Sequence, residues 1–267
     1  MLLKRILTAI ILIPLVLWVL VTDLPFVFPV FTALVLLLCA WEWAGLSGLH
    51  TRLYKAGYLI YTIFCFGVSL FLPVALNLSF AILVWVWMFV AVIFYANQKS
   101  ALGFNQSWLR FVVGAPLLVV AWLAINILRQ QPEGLMWTLY LLLLVWITDI
   151  AAYFAGKYRG KHSLAPLVSP NKTWEGAIAG LCAALLFTWA MLSPLPIYWE
   201  PWRIFPIAFI TAIFVVKGDL VESLLKRISG VKDSGNLLPG HGGVLDRVDG
   251  LIAALPLFVL LQLGVFL

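Results

Sequence analysis

Residues 204–249 read IFPIAFITAIFVVKGDLVESLLKRISGVKDSGNLLPGHGGVLDRVD, and the junction inside this stretch decides the fold. Thirteen uncharged residues, Ile204 to Val216, run into a concentration of ionisable groups that includes Lys217, Asp219, Glu222, Lys226, Arg227, Lys232, Asp233, His241, Asp246, Arg247 and Asp249. Charged residues make up only 10% of the 267-residue chain, whereas 64% is hydrophobic and 15% aromatic. That composition lies outside soluble globular usage and points to membrane-spanning helices.

A bilayer core takes roughly 20 apolar residues per helix. Nine stretches qualify in whole or part, at about 5–22, 25–47, 55–76, 78–97, 108–128, 135–156, 174–193, 203–221 and 251–267. The expected fold is an all-α polytopic integral membrane protein with its N-terminus cytoplasmic and its C-terminus outside. In that topology fifteen of the 17 basic residues face the cytoplasm, and only Arg129 and Arg203 lie outside, as the positive-inside rule requires. Eight or ten spans would misplace either the early basic loops or the 217–249 segment. The apolar run after Lys4 and Arg5 is too long for a secretory signal and lacks a small-residue cleavage site, so it reads as a retained first span.

The net charge of +6 is then the sum of loops facing an anionic leaflet. It suits membrane lipids and nucleotides as partners and is not a nucleic-acid signal. Cys39, Cys65 and Cys182 sit in apolar stretches without ligand spacing, so neither a disulfide nor a zinc site is expected. No internal repeat suggests an inverted-repeat transporter. Residues 1–140 are expected to be mainly scaffold, covering helices one to five and the start of helix six. Residues 141–267 form the expected catalytic membrane region, with a cytoplasmic glycine-rich loop over 228–249.

Three polar constellations converge on the cytoplasmic side in this topology. Asp149 lies about seven residues inside the end of helix six, on the order of 10 Å from it, with Tyr153 one turn on along the same face. An ionisable group at that depth faces an interior, a cavity or a partner. In SPNKTWEG, residues 169–176, Ser169 is the expected N-cap and Pro170 the first helical position. Free backbone N–H groups there, with Lys172 beside them, would form an anion site. Glu175 could pair with Lys172 or meet a metal. On helix eight, Asp219, Glu222 and Lys226 share a stripe with Ser223 beside it, and paired carboxylates invite a divalent cation. Beyond Arg227 the glycines break the helix and permit close backbone approach to an anion, leading to Asp246-Arg247-Val248-Asp249. His241 fits a general base, a phosphate donor or a turn residue.

The motif Ser223-x-x-Lys226-Arg227, Lys232-Asp233, Pro239, His241-Gly242-Gly243 and Asp246-Arg247-Val248-Asp249 resembles the signature of the phosphatidate cytidylyltransferase, or CDP-diacylglycerol synthase, family. Gly218-Asp219-Leu220-x-Glu222-Ser223, Ser169 to Gly176 and Asp149 to Gly156 also look like the family's pattern. The resemblance covers roughly 145–250. It implies transfer of the cytidylyl group of CTP to phosphatidate in phospholipid synthesis, with Mg²⁺ and room for a second cation. It also implies a homodimer, and a place in the bacterial inner membrane with the site on the cytoplasmic side. On this reading Asp219 and Asp246 are the first choices for metal, with Glu222, Asp249 and Asp149 as further candidates. Lys226 and Arg227 join them as catalytic residues. Lys172, Lys226, Arg227, Lys232, Ser223, His241, Gly242, Gly243 and Arg247 are the phosphate-binding candidates.

Two other readings compete. A CDP-alcohol phosphatidyltransferase would need further acids along a helix after Asp249-Gly250, where Leu251-Ile252 stand instead. A cation transporter using Asp149, Glu175 and Asp219 would need polar groups in both halves of its pathway, and the outer halves of these helices are nearly uniformly apolar.

Overall fold

The computed structural model describes residues 2–264 except 23, 99, 193–199, 239 and 241. Its helices are α1 (Leu2–Val21), α2 (Val27–Leu46), α3 (Arg52–Phe71), α4 (Val74–Gln98), α5 (Ser107–Gln130), α6 (Gly134–Arg159), α7 (Trp174–Met191), α8 (Pro201–Ile228) and α9 (Leu245–Gly264). Two short strands, β1 (Ser163–Ala165) and β2 (Ser169–Thr173), form an antiparallel hairpin between α6 and α7. Among the described residues, eight helices, α2 to α9, are long and apolar enough to cross a membrane. The protein is an all-α polytopic membrane protein, as its hydropathy predicts.

Lipid reverses the usual burial pattern. On α3 the side chains turned outward are Leu53, Ile60, Ile63, Phe64, Leu70 and Phe71, while Tyr58, Thr62 and Ser69 are the buried ones. Lipid tails are as apolar as leucine, so helices associate through close packing at small residues. Gly176 and Gly180 bring α7 onto α6, because a Cβ at Gly176 would lie 2.6 Å from the Ala152 carbonyl and one at Gly180 2.9 Å from that of Thr148. Gly218 does the same for α8 against α9, where a Cβ would lie 2.6 Å from Ala253 Cβ and 3.2 Å from Gly250 Cα. Gly114 on α5 leaves the space that the indole of Trp43 fills, and Trp43 Nε1 donates to the Arg110 carbonyl at 2.9 Å.

Hydrogen bonds gather several helix ends at one end of the bundle. The carbonyl of Leu46, the last residue of α2, accepts from Arg110 Nε at 2.9 Å and from Ser229 Oγ, just past α8, at 2.6 Å. Arg227 Nε donates to the Val168 carbonyl in the hairpin turn at 3.1 Å. Arg129 Nη2 reaches the Leu20 carbonyl at 3.1 Å, which ties the other end of α5 to the end of α1.

Two local expectations change. Ser169 and Pro170 do not start α7. They lie in β2, and the helix begins at Trp174 with Thr173 as its N-cap, whose Oγ1 accepts from Gly176 N at 3.1 Å. The hairpin pairs Ser163 with Thr173 and Ala165 with Ser169, and a two-stranded ribbon tolerates Pro170 because both its strands are edges. The glycine-rich segment also ends sooner than 249. Helix α9 starts at Leu245, so Asp246 and Asp249 stand on its first turns, where the macrodipole favours acids.

Candidate active site

Sequence neighbours of the α8–α9 contact define the centre of the site. Because Gly218 meets Gly250 at the crossing, the residues beside them, Asp219 and Asp249, are brought onto adjoining faces. Glu222 follows Asp219 one turn along α8. One carboxylate oxygen from each of Asp219, Glu222 and Asp249 lies within 4.8 Å of the other two. The Glu222 side chain is 4% exposed, and its Oε1 is buried with no hydrogen-bond partner among the described residues. Three convergent carboxylates, one with an orphaned oxygen, are the donor set a hard divalent cation takes.

Cations from two elements border this cluster. Lys226 Nζ lies 2.5 Å from Glu222 Oε2 and 2.8 Å from Asp246 Oδ1, bridging α8 to α9. Lys172, on β2, forms an ion pair with Asp219. Asp246 is held differently from the other three acids. Besides Lys226 it accepts from Gly243 N at 2.9 Å and Ser234 N at 3.1 Å, so its oxygens fasten the neck of the glycine-rich segment. Asp149 is exposed on α6 yet within electrostatic reach of Asp219 and Lys172, so it lines an open side of the site. Five carboxylates thus gather around two ammonium groups, and mutual repulsion among so many acids favours a bound cation between them.

The remaining candidates lie further out. Glu175 pairs with His162 Nδ1 at 2.6 Å, so its partner is neither Lys172 nor the carboxylate cluster. Arg227 is turned toward the hairpin by its bond to Val168. Ser223 is half-buried on α8, and Lys232 and Arg247 are exposed at the rim. His241 lies outside the described residues. Gly242, at φ +84°, takes a left-handed conformation that permits the tight return from Leu238, whose N–H donates to the Gly242 carbonyl at 3.0 Å. The N–H of Gly243 points inward, to Asp246.

Glu42 belongs to this region and sequence reasoning passes over it. It is 1% exposed on α2, and its carboxylate accepts from Ser234 Oγ, Val244 N and Leu245 N at 2.9, 3.0 and 2.8 Å. The available signal is an acid inside the otherwise apolar run LLLCAWEWAGL, since an ionisable residue within a span is a functional candidate by default.

Comparison with known proteins gives a consistent result. The profile of the cytidylyltransferase family matches residues 3–263. A phosphatidate cytidylyltransferase of Pseudomonas aeruginosa is 39% identical over 263 residues, covering 98% of this chain and 97% of that protein. One from Brucella suis is 39% identical over 266 residues, covering 96% and 91%. One from Staphylococcus aureus is 46% identical over 148 residues, covering 54% of this chain and 57% of that protein.

Proposed function

The chain belongs to the cytidylyltransferase family, and from that premise we propose that it transfers the cytidylyl group of CTP to phosphatidate at the cytoplasmic membrane face. The products are CDP-diacylglycerol and pyrophosphate. The observation that carries this reading is the carboxylate triad Asp219, Glu222 and Asp249, bordered by Lys172 and Lys226, in a chain similar end to end to relatives of that name.

In the reaction a phosphate oxygen of phosphatidate forms a bond to the α-phosphorus of CTP, and the bond from that phosphorus to the bridging oxygen of the β-phosphate breaks. Pyrophosphate carries away the electron pair. A phosphomonoester is already largely ionised at neutral pH, so the nucleophile needs no strong base. The protein's work is to position two anions and to neutralise their charge. Asp219, Glu222 and Asp249 would hold Mg²⁺, whose charge, when bound, offsets that of the reacting phosphates.

The chain's own residues do the rest. Lys226, fixed between Glu222 and Asp246, presents an ammonium that cannot swing away from the cluster. Lys172 arrives from the hairpin beside Asp219, where it can meet a phosphate as well as the carboxylate. Lys232 and Arg247 at the rim meet the triphosphate from the water side, while the open side lined by Asp149 admits the lipid headgroup from between helices. The test is purified protein incubated with CTP, phosphatidate and Mg²⁺, followed by lipid extraction. A cytidine-bearing lipid with equimolar pyrophosphate is expected. No such lipid under any divalent cation would refute the reading.

A further inference from the structure

Glu42 is the strongest feature that the proposed chemistry leaves unused. Its Oε2 accepts from Ser234 Oγ and Leu245 N, and its Oε1 from Val244 N. A buried carboxylate is tolerated only when its hydrogen bonds are made, and no ion pair reaches Glu42 among the described residues. The donors therefore do the work, helped by the positive end of the α9 dipole. Gly235 and Gly243 both lie against this carboxylate: a Cβ at Gly243 would come 2.5 Å from Oε2, and one at Gly235 2.8 Å from Cγ. One turn further along α2, the Leu46 carbonyl takes the hydroxyl of Ser229. The last turns of α2 thus grip the segment between α8 and α9 at its beginning and its end.

The grip continues into the site. Ser234, bonded to Glu42 through its side chain, donates its backbone N–H to Asp246. Gly243, packed on Glu42, donates to the same carboxylate. Asp246 meets Lys226, and Lys226 meets Glu222 of the triad. Leu245, whose N–H Glu42 accepts, is the first residue of the helix that carries Asp249.

We infer that Glu42 is a positioning residue for the transfer reaction: by holding Ser234, Val244 and Leu245 it sets the start of α9, and with it Asp246 and Asp249, against Lys226 and the carboxylates of α8. This rests on the cytidylyl-transfer reading. It gives a helix from the scaffold half of the chain a part in the chemistry without contact to substrate.

The experiment compares wild type with Glu42→Gln and Glu42→Asp. Each is assayed for kcat and for KM toward CTP at saturating Mg²⁺. Hydrogen exchange of peptides spanning 234–247 is measured separately, in detergent without nucleotide or metal. Glutamine keeps one acceptor and turns an NH₂ group toward the donors. Its kcat should fall ten- to a hundredfold with KM within about threefold, and the Val244 and Leu245 amides should exchange at least tenfold faster while α5 peptides stay unchanged. Aspartate, with the charge kept but drawn back by one methylene, should recover part of both. A Gln variant with kcat within twofold of wild type, or with unchanged exchange, would overturn the inference. Should Glu42→Gln fail to fold, Ser234→Ala decides, since it removes one loop-side donor: a three- to tenfold loss of kcat supports the inference and an unchanged kcat overturns it. A wild-type protein that makes no cytidine-bearing lipid refutes the reading beneath it, and the exchange measurement still decides whether Glu42 holds the segment.

Discussion

The contact at Gly218 offers a perturbation that separates site geometry from stability. A Cβ there would stand 2.6 Å from Ala253 Cβ and 3.0 Å from the Asp249 carbonyl oxygen. Carbon atoms pack at about 3.5–4.0 Å, so Gly218→Ala forces α8 and α9 apart by ~1 Å. Overpacking of this kind costs ~1–3 kcal/mol, but alanine returns up to ~1 kcal/mol of helix propensity. The net loss of stability is then ~0–2 kcal/mol. The same ångström falls between Asp219 and Asp249, and a displacement of that size at a reacting centre can cost ~10²-fold in rate. Turnover of CTP and phosphatidate should drop about a hundredfold while the melting temperature in detergent falls only a few degrees. Ala253→Gly removes the nearest atom, so Gly218→Ala/Ala253→Gly should regain at least tenfold. Wild-type turnover in the single variant, or no recovery in the double, would refute the view that this crossing sets the carboxylate cluster.

Other expectations follow from the same geometry. Asp249→Asn and Glu222→Gln each remove an anionic oxygen from the triad, so turnover should fall at least ~10²-fold and the Mg²⁺ needed for half-activation should rise; unchanged Mg²⁺ dependence would take that residue out of the metal role. Lys226→Met leaves Glu222 and Asp246 without their shared cation, which costs about 3–5 kcal/mol for a buried pair, and thermal unfolding should show that loss together with loss of turnover. Gly243→Ala crowds a Cβ against Ser234 Oγ and to 2.5 Å from Glu42 Oε2; overpacking at this buried position should cost ~1–3 kcal/mol in thermal unfolding, and product formation should fall by more than tenfold.

The chain's hydropathy is enough to read the helices, because a spanning helix needs little beyond length and apolarity. The spacing of Asp219, Glu222 and Lys226 places them on one stripe of α8, and the structure keeps them there. What crosses between helices was harder to read. Asp249 joins the triad because Gly250 packs at the α8–α9 crossing, a relation that no local spacing encodes. The start of α7 moved from Ser169 to Thr173 because two cap-capable hydroxyls precede the helix, and pairing with Ser163–Ala165 decides between them. The glycines around 235–243 read as room for an outside anion. At Gly235 and Gly243 that room is taken by an anion of the chain itself, Glu42, far away in sequence.

The fate of the label in CTP decides which group the protein transfers. Purified protein with phosphatidate and Mg²⁺ is given CTP labelled at either the α- or the γ-phosphate, and the lipid and aqueous phases are counted. Cytidylyl transfer puts α-label in the lipid in a one-to-one ratio with cytidine, and γ-label entirely in pyrophosphate. Label from the γ-phosphate in the lipid, or α-label remaining in water as CMP or CDP, would contradict cytidylyl transfer as the activity of this site.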